Sequence, residues 1–187
     1  MKEATVVATT EFDLSREKAE REAERLIESE WEGHGLPINP VYIAKQLGVE
    51  VYQMALQQDV DGILKFYEGG KTPVILVPQD APDTRRRFSV AHELGHLIIY
   101  LRRNPGGYGP APETDVFYRN PDSRTATKPE EVWANQFGAA LLMPRQYVRA
   151  LVGEGKSDLA LASYFEVSLE AMSHRLDNLG LLTQATA

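Results

Sequence analysis

Residues 88–102, FSVAHELGHLIIYLR, decide how the rest of the chain is read. Val90, Leu94, Leu97, Ile98 and Leu101 recur at helical spacing and form one narrow apolar stripe, which predicts a helix from about Thr84 to Arg103. His92 and His96 lie almost opposite that stripe. Two histidines at i and i+4 stand one turn apart on one face, so their imidazoles can converge on a single ion while Glu93 projects beside them. The arrangement suits zinc with a carboxylate poised over its bound water. A chance His-Glu-x-x-His on a solvated helix face is the alternative, and the motif alone leaves both open.

Composition narrows the choice of ligands. The 187 residues contain no cysteine, so disulfides and thiolate zinc sites are excluded and a metal must be held by His, Asp, Glu or solvent. Apolar residues make up 43% and charged residues 25%, an ordinary globular balance long enough for one domain with helical extensions. A net charge of −7 argues against broad, sequence-independent nucleic-acid binding, which needs a basic surface. Residues 1–18 lack a signal-peptide core and no run reaches the roughly 18 apolar residues of a membrane span, so no membrane association and a cytoplasmic location are expected.

Along the chain, residues 1–14 read as a flexible arm, 15–144 as the main domain and 145–182 as a helical subdomain packed on it. Ser15 is placed to cap a charged helix carrying Ala19, Ala23, Leu26 and Ile27 on one side. Pro40 opens a short helix that Gly48 closes, and a strand starts near Val49. Strands at 62–67 and 73–77 around Gly69-Gly70 make a hairpin, and the second is a candidate edge for an extended peptide as well as a candidate core strand. Residues 104–129, rich in Pro and Gly, form a long connection with the character of a lid or mobile loop. Helices are then expected at 129–143, 145–152, 157–165 and 169–179, with Pro144 and Gly180 as stops. The fold class is therefore α+β, mainly helical, with a small antiparallel-containing sheet.

A tetrahedral catalytic zinc needs a third protein ligand. The pattern with a third histidine six residues downstream is absent, because Ile99 and Arg102 stand where Gly and His are required. The helix EEVWANQFGAALLMP offers Glu130 and Glu131 instead. Glu131 is the better candidate, since it shares a stripe with Asn135 and Gly138 while Trp133, Phe137 and Ala140 take roughly the opposite face. Glycine in mid-helix costs about 1 kcal/mol relative to Ala, which close approach of a second helix at Gly138 and Gly95 would explain. Asn135, one turn from Glu131, is placed to orient an imidazole from behind.

Taken together, RRRFSVAHELGHLIIY followed by EEVWANQFGAALLMP resembles the ImmA/IrrE family of metallopeptidases, as do LPINPVYIAKQLGVEVY, the DGIL strand and FEVSLEAMSHRLDNLGLL. The resemblance covers roughly residues 17–182, with one minor departure, Gly138 where the family usually has Ala. It implies a zincin-like, thermolysin-type site: His92 and His96 as zinc ligands, Glu131 as the third, and Glu93 as general base. It further implies a peptidase that cleaves a partner helix-turn-helix transcriptional repressor, relieving repression in a stress, phage, mobile-element or toxin–antitoxin-like system.

Zinc and one further donor would stabilise the oxyanion, but Tyr100, Tyr108, Tyr118 and His174 give no basis for nominating that donor. Two other readings stay open: a metal-binding regulator that sequesters its partner without cutting it, and a DNA contact through the C-terminal helices, whose outline is that of a helix-turn-helix. Arg175 is the only full positive charge after Lys156 there, which disfavours DNA reading, and Met172, Leu176 and Leu179 form the expected buried stripe.

Overall fold

Ser15 accepts a hydrogen bond from the Lys18 amide and starts α1, Arg16–Glu30, as the capping rule anticipates. In this computed structural model, residues 13–67, 72–107, 117–118 and 129–182 are described, the pair 117–118 by backbone alone. The turn at Gly69-Gly70, the N-terminal arm up to residue 12 and most of the 104–129 connection lie outside them. The Asn39 side chain caps α2, Pro40–Gln46, with Pro40 in its first turn, and Gly48 takes a φ of 74° that turns the chain into β1, Glu50–Met54.

β2, Ile63–Tyr67, and β3, Thr72–Pro78, pair antiparallel with Ile63 opposite Leu76. β1 runs parallel to β3 with Glu50 opposite Val74, and β4, Phe117–Tyr118, adds to the free side of β2, giving the order β1-β3-β2-β4. The strand at 73–77 is thus interior, and the edge role considered for it is excluded. The physical reason is in its sequence: PVILV is continuously apolar, the mark of a strand covered on both faces. Ile75 and Val77 join the main core, whereas Val74 and Leu76 pack with Ile63 in a smaller cluster on the other face.

α3, Asp83–Arg103, crosses the sheet and packs against α4, Pro129–Leu142. Every residue from Ser89 to Tyr100 is buried, so the histidine face is not solvated but enclosed as fully as the apolar stripe. α1 packs on α4 through Ala19 and Ala23, whose small side chains allow close approach. Pro144 ends α4, and α5, Arg145–Gly153, α6, Asp158–Phe165, and α7, Leu169–Asn178, follow. Val148, Leu161, Phe165, Met172 and Leu176 belong to the same core as α1, α3 and α4, so the last three helices share one apolar interior with the rest. Seven helices and a small mixed sheet among the described residues make the fold α+β.

Two arginines tie the C-terminal helices down. Arg175, 3% exposed, pairs with Glu20 of α1 through both guanidinium nitrogens, one at 3.0 Å, and its Nε donates to the Met143 carbonyl at 2.9 Å. Arg87 of α3 donates to the Ile38 carbonyl at 2.8 Å and the Glu166 carbonyl at 3.2 Å. Arg175 therefore faces inward and presents no positive charge on the outer face of α7, which removes the residue on which a DNA-reading role depended.

Candidate metal centre

α3 and α4 run antiparallel across the site: Gly95 lies opposite Ala134, and Gly138 opposite Ala91 and His92. A Cβ on Gly95 would come within 3.0 Å of Ala134 Cα, and one on Gly138 within 3.2 Å of the His92 nitrogen. Both glycines therefore sit where one helix backbone meets the other, the close approach expected from their positions in mid-helix.

That approach brings the candidate ligands together. The Nε2 atoms of His92 and His96 are 3.0 Å apart, and each lies 3.3 Å from an oxygen of the Glu131 carboxylate. The three residues form a group whose ligand atoms all lie within 4.8 Å of one another. Two atoms about 2.1 Å from a tetrahedral ion, at its tetrahedral angle, are about 3.4 Å apart; the two imidazole nitrogens and the Glu131 oxygen facing each are spaced on that scale, close enough to converge on one ion. Glu130, the neighbouring alternative, points elsewhere and pairs with Arg103 at 2.8 Å.

Protonation suits the same purpose. His92 Nδ1 lies 2.8 Å from Asn135 Oδ1. The amide oxygen can only accept, so Nδ1 carries the proton and the neutral ring keeps a bare lone pair on Nε2, facing His96 and Glu131. Burial works against ionisation of the Glu131 carboxyl, but His92 and His96, which donate to it when their rings are protonated, outweigh burial and hold the group well below the usual carboxylate range. At His96 burial depresses the pKa, yet the Glu131 hydrogen bond and the fields of Glu93, Glu131 and Glu130 prevail and raise it. Two imidazoles and an ionised carboxylate, with ring tautomer set by an amide, make a donor set that a divalent cation fits.

Glu93 is 2% exposed and lies against the main chain at Gly62, just before β2. A Cβ at Gly62 would sit 2.8 Å from Glu93 Oε1 and 3.2 Å from its Cγ, so a larger residue there would push the Glu93 carboxyl group out of its present position. Asp61 pairs with Arg85, two turns before Glu93 on α3, which anchors that approach. Sequence reasoning did not assign Gly62, Asp61 or Arg85 to the site. The available signal was the glycine at the head of an otherwise β-forming stretch, a mark of close backbone approach. Tyr100 is a core residue whose ring centroid lies 4.4 Å from that of Phe66, and His174 is largely exposed on α7; the side chains of Tyr108 and Tyr118 lie outside the described residues.

No helix among the described residues is long and apolar enough to cross a membrane. A search of curated proteins found no match to the chain. A solved structure, that of a Mycobacterium tuberculosis transcriptional regulator, is similar with a TM-score of 0.58 at 19% identity, over 86% of this chain and 46% of that one. The likeness is one of fold, and the chain spans less than half of that regulator's length. The family model Peptidase_M78, described as the IrrE N-terminal-like domain, matches residues 44–177, which include α3, α4 and all the site residues above. With its paired helices, its enclosed His-Glu-x-x-His and a match over most of its length, the chain belongs to this ImmA/IrrE family of metallopeptidase-like domains.

Proposed function

We propose that the protein is a cytoplasmic zinc-dependent endopeptidase that hydrolyses a peptide bond in a partner protein, a helix-turn-helix transcriptional repressor, and so relieves repression in a stress, mobile-element or toxin–antitoxin-like system. The observation that carries the reading is the convergence of His92 Nε2, His96 Nε2 and the Glu131 carboxylate, at separations of 3.0 and 3.3 Å, on a point where one ion could be held with a further position for solvent or substrate. In this proposal His92, His96 and Glu131 are the ligands, and Asn135 holds the His92 ring. Zinc bound there would supply Lewis acidity, lowering the pKa of water and polarising the scissile carbonyl. Glu93 takes the proton from the attacking water and delivers it to the departing amine. Its enclosure against Gly62 keeps the carboxyl group in one orientation for both transfers. The repressor as substrate rests on the family. It is compatible with an acidic chain whose one buried C-terminal arginine is already engaged by Glu20.

The test pairs two variants with purified repressor encoded beside the gene. Glu93→Gln should retain zinc and lose cleavage by about 100-fold or more, whereas Glu131→Ala should lose most of its zinc by elemental analysis. Partner release that persists undiminished in Glu93→Gln, without cleavage, would replace the peptidase reading with sequestration. Unchanged zinc in Glu131→Ala would remove that ligand.

A further inference from the structure

Beside the metal centre lies a groove of about 650 Å³, within the size range of ligand sites. Its near end is formed by Ser89 of α3, one turn before His92, and Asn135 of α4, one turn after Glu131. Because the helices are antiparallel, both steps lead in the same direction, away from the ligands by about 4.5 Å along α3 and about 6 Å along α4. An extended peptide advances about 3.3 Å per residue. A chain held for hydrolysis at the centre therefore places a side chain within about two positions of the scissile bond at the mouth of this groove.

The groove is predominantly apolar: Phe88 of α3, Ala139 of α4, Met143, Val167 and Ala171 of α7 line it. The neutral polar side chains of Thr84, Gln136, Ser168 and Asn178 stand among them. Its charges are compensated or peripheral: Asp61 pairs with Arg85, Arg175 with Glu20, and Glu170 and His174 are exposed at the rim. A charged side chain entering it would be desolvated without a partner, whereas a bulky apolar one would bury its surface. Two of the lining side chains, Ala139 and Ala171, are small and leave room for bulk.

We propose that this groove seats a bulky apolar side chain of the substrate within about two residues of the scissile bond, and that α7, through Ala171, is the wall that sets this preference. The inference rests on the peptidase reading and gives the helix in the recognition position of a helix-turn-helix outline a different task, reading a peptide rather than a base pair.

The test has two arms. The zinc-loaded protein is incubated with a library of unstructured dodecapeptides and the cut positions are mapped by mass spectrometry. In parallel, Glu93→Gln is titrated with fluorescein-labelled dodecapeptides bearing Phe, Leu, Ala, Lys or Asp at the position concerned. Phe and Leu should be enriched near the cut, and Phe and Leu peptides should bind more tightly than the Lys and Asp ones. Ala171→Trp should cut kcat/KM for those peptides by about 10-fold or more and lower their binding similarly, while Ala peptides change little and zinc content stays constant. Ala139→Phe, filling the groove from α4, serves in place of Ala171→Trp if thermal unfolding shows that the latter is poorly folded. Hydrolysis without a positional preference, or a preference unaltered by both filling variants, overturns the groove while leaving the peptidase reading intact. Selective binding that the filling variants abolish, without hydrolysis by the wild-type protein, sustains the groove and overturns the peptidase reading. Binding that ignores side-chain type overturns the groove.

Discussion

Replacing Gly95 by Ala adds one methyl group at the point where the two site helices meet. In an open helix interior the change stabilises by about 1 kcal/mol, because glycine spends more backbone entropy on folding. Here the new Cβ meets Ala134 Cα at 3.0 Å, Ala134 Cβ at 3.2 Å and Phe137 Cδ1 at 3.2 Å, and ordinary contact begins at 3.4 Å. The nearest obstacle is backbone, so the helices must separate by about 0.4 Å to relieve it. Overpacking of this kind costs about 1–3 kcal/mol, which reverses the propensity gain and leaves a net loss of about 0–2 kcal/mol. The same displacement moves His92 and His96 from Glu131 by more than the ±0.2 Å within which metal–ligand distances are held. Zinc affinity should therefore fall by about 10-fold or more, as when an orienting partner is removed. Gly153, at the end of α5 with nothing within 4 Å of an added methyl group, is the control, and its change to Ala should be neutral or stabilising by up to about 1 kcal/mol. Urea unfolding of the metal-free proteins and competition titration with a zinc chelator measure the two effects. If Gly95→Ala proves as stable as Gly153→Ala and binds zinc like the wild type, the helix contact is not what requires glycine.

Acid should weaken the fold through Glu22, a buried carboxylate 3.0 Å from Lys18 and 2.6 Å from Arg102. Burial opposes its ionisation, but the hydrogen bonds from Arg102 and Lys18 prevail and lower its pKa from the ordinary value of 4.5, so its contribution is complete above that pH and disappears as pH falls through the lower folded-state value. Glu22→Gln should cost about 1 kcal/mol at pH 7 and nothing once the wild-type carboxyl is protonated, and a pH-independent difference in urea midpoint would contradict this. Arg175→Met should destabilise by about 3–5 kcal/mol by leaving Glu20 buried and unmatched, while the double change Glu20→Leu, Arg175→Met should recover most of the loss. Additive losses in that cycle would show that the two side chains act independently.

Local features were the most legible part of the fold. Ser15 and Pro40 mark helix starts through hydrogen bonds and dihedral preferences that involve only a few neighbouring residues, and both are where those preferences put them. The preference for Glu131 over Glu130 follows from helical periodicity alone, and the two do diverge, one toward the histidines and the other toward Arg103. What a single sequence conceals is pairing across distance. The parallel alignment of β1 with β3, the contact of Gly62 with Glu93 and the union of Glu20 with Arg175 each join residues with no periodic relation to one another. An edge role for 73–77 neglects the two-sided burial that PVILV already implies.

The pairing of Glu20 with Arg175 also has a temporal side. The two residues are 155 positions apart, and at about 5–20 residues per second a ribosome takes roughly 8–30 s to travel between them. For most of that interval, from the completion of α1 until α4 is made, neither α4 nor α7 exists to cover it, and Ala19, Ala23 and Leu26 have no native partner from those helices. The rest of REKAEREAER carries charges of both signs. Those charges keep an uncovered first helix in solution until α4, and then α7, arrive to enclose it.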